Sequence, residues 1–135
     1  HTCWGSYEGP HHRDTPLEDL LPILYEMDIG GLSIEEANPR HQHEYRVFRE
    51  YPLPDDWTLI PGVVDVKTNV VEHPEVVADR IERVADAVDD PSRIVAAPDC
   101  GFDTQAGLAM VHPEIAWAKL EALVEGADVA TDRLF

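Results

Sequence analysis

Residues 59–88 read LIPGVVDVKTNVVEHPEVVADRIERVADAV, and the fold is decided there. The first part, Leu59 to Val66, is a β-rich apolar run with Pro61 and Gly62 near its start. Branching at Cβ favours the extended backbone, so the run predicts a strand. The second part, His73 to Val88, carries Val76, Val77, Ile81, Val84, Ala85 and Val88 at helical spacing. That spacing predicts an amphipathic helix. Together they make one β–α unit.

The same unit recurs in both directions. Downstream, Arg93 to Ala97 is a short apolar run, and a helix is predicted from Pro113 to Val129. Ile115, Leu120, Leu123 and Val124 should face inward on that helix, with Trp117 in the core. Upstream, Leu32-Ser33-Ile34-Glu35 reads as a strand, followed by a helix over His41 to Glu50 that Tyr51-Pro52-Leu53-Pro54 stops. His43 and His41 fall on the surface of that helix, without a role. Earlier still, His1 to Trp4 supply the last residues of a strand, and a Gly/Pro/His loop follows. Thr15 is the expected N-cap of the next helix, with Pro16 at its first position and Glu18 completing the cap. Leu17, Leu20, Leu21 and Leu24 form its apolar face, and Gly30-Gly31 ends it. His73-Pro74 and His112-Pro113 punctuate the starts of the other helices, and Trp57 is read as packing.

Four consecutive β–α units predict an α/β fold: a parallel sheet covered by helices, with right-handed crossovers. Eight such units close a barrel in about 250 residues. The chain has 135, so the expectation is one domain, residues 1–135, forming the C-terminal half of a (β/α)8 TIM barrel. Half a barrel exposes two unpaired sheet edges. The missing N-terminal half, or self-association, is therefore expected to complete it.

Composition narrows the function. Apolar residues make up 44% of the chain, enough for a core. Ten basic against 27 acidic residues give a formal charge of −17, which argues against nucleic-acid binding and against anionic membranes. No apolar run approaches the roughly 18 residues a spanning helix needs. The opening residues lack the pattern of a signal peptide, and two cysteines 97 positions apart make no disulfide framework. These features predict a cytoplasmic protein. Lysines are confined to Lys67 and Lys119, and the acidic excess is spread along the chain, as in cytoplasmic proteins of salt-loving microbes.

Chemistry-bearing residues fall just past each β-like run: His1 and Cys3, then Glu35 and Glu36, then Asp65 and Lys67, then Asp99 and Cys100. In parallel β/α folds the carboxyl ends of the strands open on one face. Side chains two apart in a strand share a side, so His1 and Cys3 point together. With Cys100 and one carboxylate they make a nitrogen, two sulfurs and an oxygen, a set suited to tetrahedral zinc. The bland alternative is that Cys3 and Cys100 are merely small buried apolar residues. His11 and His12 lie in the first loop, where they could line the mouth of a pocket on the same rim.

The motifs His1-Thr2-Cys3, Leu32-Ser33-Ile34-Glu35 and Ala97-Pro98-Asp99-Cys100-Gly101-Phe102 resemble those of the C-terminal catalytic barrel of cobalamin-independent methionine synthase and of its shorter single-barrel relatives. Trp4 to His12, Val64 to Asn69 and Val111 to Glu114 extend the likeness in collinear order. The resemblance implies a zinc site of His1, Cys3, Glu35 and Cys100. It favours Glu35 over Glu36, since the family's Glu directly follows the Ser-Ile pair. It further implies a methyltransferase that activates the thiol of homocysteine and takes a methyl group from a methylated folate or a similar donor. Asp65 and Lys67 become the candidate catalytic and substrate-binding pair, with His11 and His12 as further substrate-binding candidates. The family places a His, acting as an acid, where this chain has Lys67. A related class, also with His-x-Cys and a distant Cys, opens epoxides with the thiol of coenzyme M. An inactive metal-binding fragment is the non-enzymatic alternative.

Overall fold

In the computed structural model, which describes residues 1–107 and 109–135, β and α segments alternate along the chain. Helix α1 spans Leu17–Leu24, strand β1 Gly31–Ile34, β2 Thr58–Val64, α2 Pro74–Val88, β3 Ala97–Pro98 and α3 Pro113–Leu134. Two 3-10 helices, Glu44–Arg49 and Pro91–Arg93, interrupt the loops. The sheet has the order β1-β2-β3, and all pairs are parallel. Thr2 adds a parallel bridge to Ile34 on the outer flank of β1, so the first segment lies where a fourth strand belongs. Sequential parallel strands lying side by side are the (β/α) barrel pattern.

The core divides in two. Leu17 and Leu21 of α1 pack with Leu32, Ile34, Phe48, Trp57, Leu59 and Val84. Val63 and Val64 pack with Val77, Ala78 and Ile81 of α2 and Ala130 of α3. Trp57 is therefore packing, as its setting between β1 and β2 predicts.

Several local expectations need correction. The helix over His41 to Glu50 is a 3-10 helix over Glu44–Arg49. The helix from Thr15 is cut to eight residues, and Thr15 does not cap it: Pro16 holds that position with no side-chain hydrogen bond. The buried backbone donor Leu17 N instead finds Glu44 Oε1, 3.1 Å away, from the 3-10 helix. A partner distant in sequence thus replaces the local cap. Helix α3 runs five residues past Val129, and its packed face is Lys119, Ala122, Gly126 and Ala130. Trp117 and Val124 are exposed, because small residues let α3 lie close against α2. His73 and His112 do cap α2 and α3, accepting the amides of Glu75 and Glu114 on their ring nitrogens.

Buried ion pairs tie α3 to the sheet. Lys119, fully buried, reaches Glu72 Oε2 at 2.8 Å, and Glu72 Oε1 accepts the Asp65 amide at 2.9 Å. Among the described residues no helix is long and apolar enough to cross a membrane.

Candidate metal centre

The segments that end at the carboxyl rim bring three ligand atoms together. One ring nitrogen of His1 and the Sγ atoms of Cys3 and Cys100 all lie within 4.8 Å of one another. His1 Nε2 is 3.4 Å from Cys100 Sγ. Zinc with bonds of about 2.0 and 2.3 Å would set the tetrahedral N···S edge at ~3.5 Å. The donor set and its spacing therefore fit that ion. His1 Nδ1 is 2.9 Å from Ser33 Oγ. With that nitrogen donating to Ser33, Nε2 is left with its lone pair toward the sulfurs, the orientation a metal-binding imidazole needs. Cys3 and Cys100 are free thiols. Partial burial pushes the Cys3 thiol up, and Cys100 adds to this while a Gly5 backbone contact opposes it. A divalent cation reverses that balance by favouring both thiolates.

Glu35 and Glu36 separate cleanly. They are consecutive on extended backbone and project to opposite sides. Glu36 turns toward Glu44, Tyr45 and Arg83, and burial raises its carboxyl well above the usual range. Glu35 turns to the rim, where its charge bears on Cys3. Its Oε2 accepts Lys67 Nζ at 3.2 Å and Asn38 Nδ2 at 2.9 Å, while Oε1 has no hydrogen-bond partner among the described residues. Glu35 stands beside the three-atom cluster rather than within its 4.8 Å limit.

Asp65 and Lys67 both lie buried just past β2, and Asp65 Oδ1 accepts the Lys67 amide at 3.1 Å. His11 is partly buried, with Asp14 Oδ2 2.8 Å from one ring nitrogen and the Tyr7 carbonyl 2.7 Å from the other. His12 is exposed.

Two side chains that the sequence reading named have roles it did not assign. Asp99 is fully buried and accepts the amides of Glu36 and Ala37 at 2.8 Å and of Asn38 at 3.0 Å, together with Asn38 Nδ2. Burial raises its carboxyl to about 6, against the pull of those donors. Asp99 immediately precedes Cys100 and clamps the loop that follows Glu35, so one side chain ties the two segments together. His41 is buried rather than on a helix surface. Its ring stacks on Trp4 at 3.8 Å and sits 2.9 Å from Glu44 Oε2 and 3.0 Å from Asp14 Oδ2. Burial alone would lower its pKa, but the two carboxylates outweigh it and raise the value. His41 lies in the turn that precedes the 3-10 helix, where helical periodicity gives no guide to which side chain turns inward.

Comparison with known proteins places the chain. The family described as "Cobalamin-independent synthase, Catalytic domain" matches residues 10–128. A methionine synthase of Thermococcus kodakarensis is 37% identical over 137 positions, covering 99% of this chain and 34% of that protein. A 2-hydroxypropyl-CoM lyase of Xanthobacter autotrophicus is 29% identical over 159 positions, covering 99% and 40%. A B12-independent methionine synthase from Shewanella sp., solved in complex with selenomethionine, superposes with a TM-score of 0.69 at 24% identity. It covers 87% of this chain and 31% of that one. The chain thus spans about a third to two fifths of the length of these relatives.

Proposed function

The chain belongs to the cobalamin-independent synthase catalytic-domain family, and from that premise we propose that it is the metal-bearing C-terminal half of a zinc-dependent methyltransferase acting on homocysteine. The observation that carries this reading is the convergence of the His1 nitrogen and the two cysteine sulfurs. His1, Cys3 and Cys100 would hold the ion, with Glu35 as the oxygen ligand. Bound zinc supplies Lewis acidity, which keeps a substrate sulfur as thiolate at neutral pH, where a free thiol titrating near 8.5 is mostly protonated. The protein's part is to orient that site. Ser33 fixes the imidazole, and Asp99 holds the loop behind Glu35 in register with Cys100. Asp65, with His11 and His12 of the first loop, would meet a polar substrate, while the Lys67 ammonium faces Glu35.

A second reading is alkylation of another thiol, such as coenzyme M. It is favoured by Lys67 standing where the resemblance implies an acidic His, and by the likeness to the 2-hydroxypropyl-CoM lyase. In either reading the rest of the barrel comes from a longer parent chain, a second polypeptide or self-association.

The test pairs metal content with turnover. Cys3→Ser and Cys100→Ser should each sharply reduce zinc occupancy, since each removes a thiolate. Unchanged occupancy in both overturns the metal site. Once the barrel is complete, methionine formed from homocysteine supports the first reading. A product formed only with coenzyme M selects the second.

A further inference from the structure

The surroundings of Glu35 contain more than an ordinary ligand requires. Its carboxylate is fully buried, and Oε2 is taken by two donors that are themselves fixed. Asn38 is locked by four further contacts: its Oδ1 accepts the amides of Arg40 and His41 at 3.1 Å, its Nδ2 donates to Asp99, and its own amide binds Asp99. Lys67 is buried, and its amide is pinned to Asp65. The two donors therefore form a built receptacle for one carboxylate oxygen, next to a cluster that already holds three ligand atoms.

From this arrangement we propose that Lys67 and Asn38 form a seat that competes with the metal for the Glu35 carboxylate, making Lys67 a positioning residue that sets how firmly the oxygen ligand is held. The proposal rests on the zinc-site reading above. Its physics has two sides. Without a metal, a buried Glu35 left unpaired would be strongly destabilising, and the ammonium neutralises it. With a metal, the same ammonium withdraws electron density from the carboxylate and repels the cation. Lys67 therefore stabilises the metal-free protein while weakening metal binding. A merely structural lysine would support both.

That opposition of sign is the test. Zinc affinity is measured by chelator competition, and thermal stability on the metal-free protein, for the parent chain, Lys67→Met, Lys67→Gln, Glu35→Gln and the Glu35→Gln/Lys67→Met pair. Lys67→Met should melt lower without metal yet bind zinc about tenfold or more tightly, the scale of one charge-assisted buried hydrogen bond. Lys67→Gln keeps a neutral donor and should move both quantities the same way by less, and it carries the test should Lys67→Met fail to fold. Most of the gain should vanish in the Glu35→Gln background. Zinc binding weakened or unchanged in the Lys67 variants, or a full gain surviving in Glu35→Gln, overturns the seat. The cysteine variants separate the two failures. Zinc indifferent to Cys3 and Cys100 sinks the metal site itself, whereas zinc that depends on them but ignores Lys67 sinks only the seat.

Discussion

Alanine at Gly62 probes the contact on which the candidate site is built. Gly62 pairs with Ala97 across β2 and β3. A β-carbon there would lie 2.6 Å from Asp99 Cα and closer still to the Asp99 carboxylate. The obstruction includes backbone, so no rotamer change relieves it. Either the two strands part or Asp99 withdraws. Crowding of this kind costs about 1–3 kcal/mol. Withdrawal also weakens four hydrogen bonds to a buried acceptor, each contributing about 1.5–3 kcal/mol when the acceptor is charged. Losing even one of the four brings the total to about 2.5 kcal/mol or more, a large part of the stability of a typical domain. Urea unfolding well above the Asp99 pKa of about 6 should show a lower midpoint with an unchanged slope. Zinc affinity should fall with it, because the loop behind Glu35 loses its clamp. Gly30→Ala is the control: its β-carbon would meet nothing within 4 Å, and its effect should stay within about 0.5 kcal/mol. Gly62→Ala unfolding within about 1 kcal/mol of the parent, with zinc affinity intact, would refute the reasoning.

Other outcomes follow from the same contacts. Because His41 has a raised folded pKa, its stabilisation is complete below the unfolded value of about 6.5 and is lost as pH rises through the folded value. Thermal melting should therefore fall more steeply over that rise in the parent than in His41→Asn, and parallel curves would contradict the pairing with Glu44 and Asp14. Gly126→Ala gains about 1 kcal/mol of helix propensity but drives a β-carbon against Val77 and to within 2.8 Å of the Pro74 carbonyl. We expect a net loss of about 1 kcal/mol by urea titration, relieved by adding Val77→Ala, and a more stable Gly126→Ala protein would disprove the close helix approach. With a formal charge of −17, the chain should melt higher in about 1 M than in about 0.1 M sodium chloride, and a salt-independent melting temperature would remove the acidic surface as a source of strain.

The architecture was legible where periodicity is strong. Val76 to Val88 gave α2, and the β-branched run before it gave β2, because burial on one side imposes a repeat that residue types record. The convergence of His1, Cys3 and Cys100 was legible from strand ends plus the rule that they share a rim. The failures have a common cause. Glu44 capping α1, Asp99 clamping the Glu35 loop and Asp14 reaching His41 are all contacts across 27 or more positions. Side chains of these types usually sit in water, and no local repeat marks the exceptions. Trp117 misled for the opposite reason: an indole suggests burial, but the approach of α3 to α2 is set by Gly126 and leaves no room for one.

The Lys119–Glu72 pair bears on where this unit can be cut. Glu72 depends on a lysine from the middle of α3, and the Asp65 amide depends on Glu72. Removing the final helix would strip Glu72 of its buried lysine and leave it to the longer contact with Arg80, 3.6 Å away. A shortened version ending near residue 112 should therefore lose order in the segment from Asp65 to Glu72, so α3 is inseparable from the chemistry it never touches.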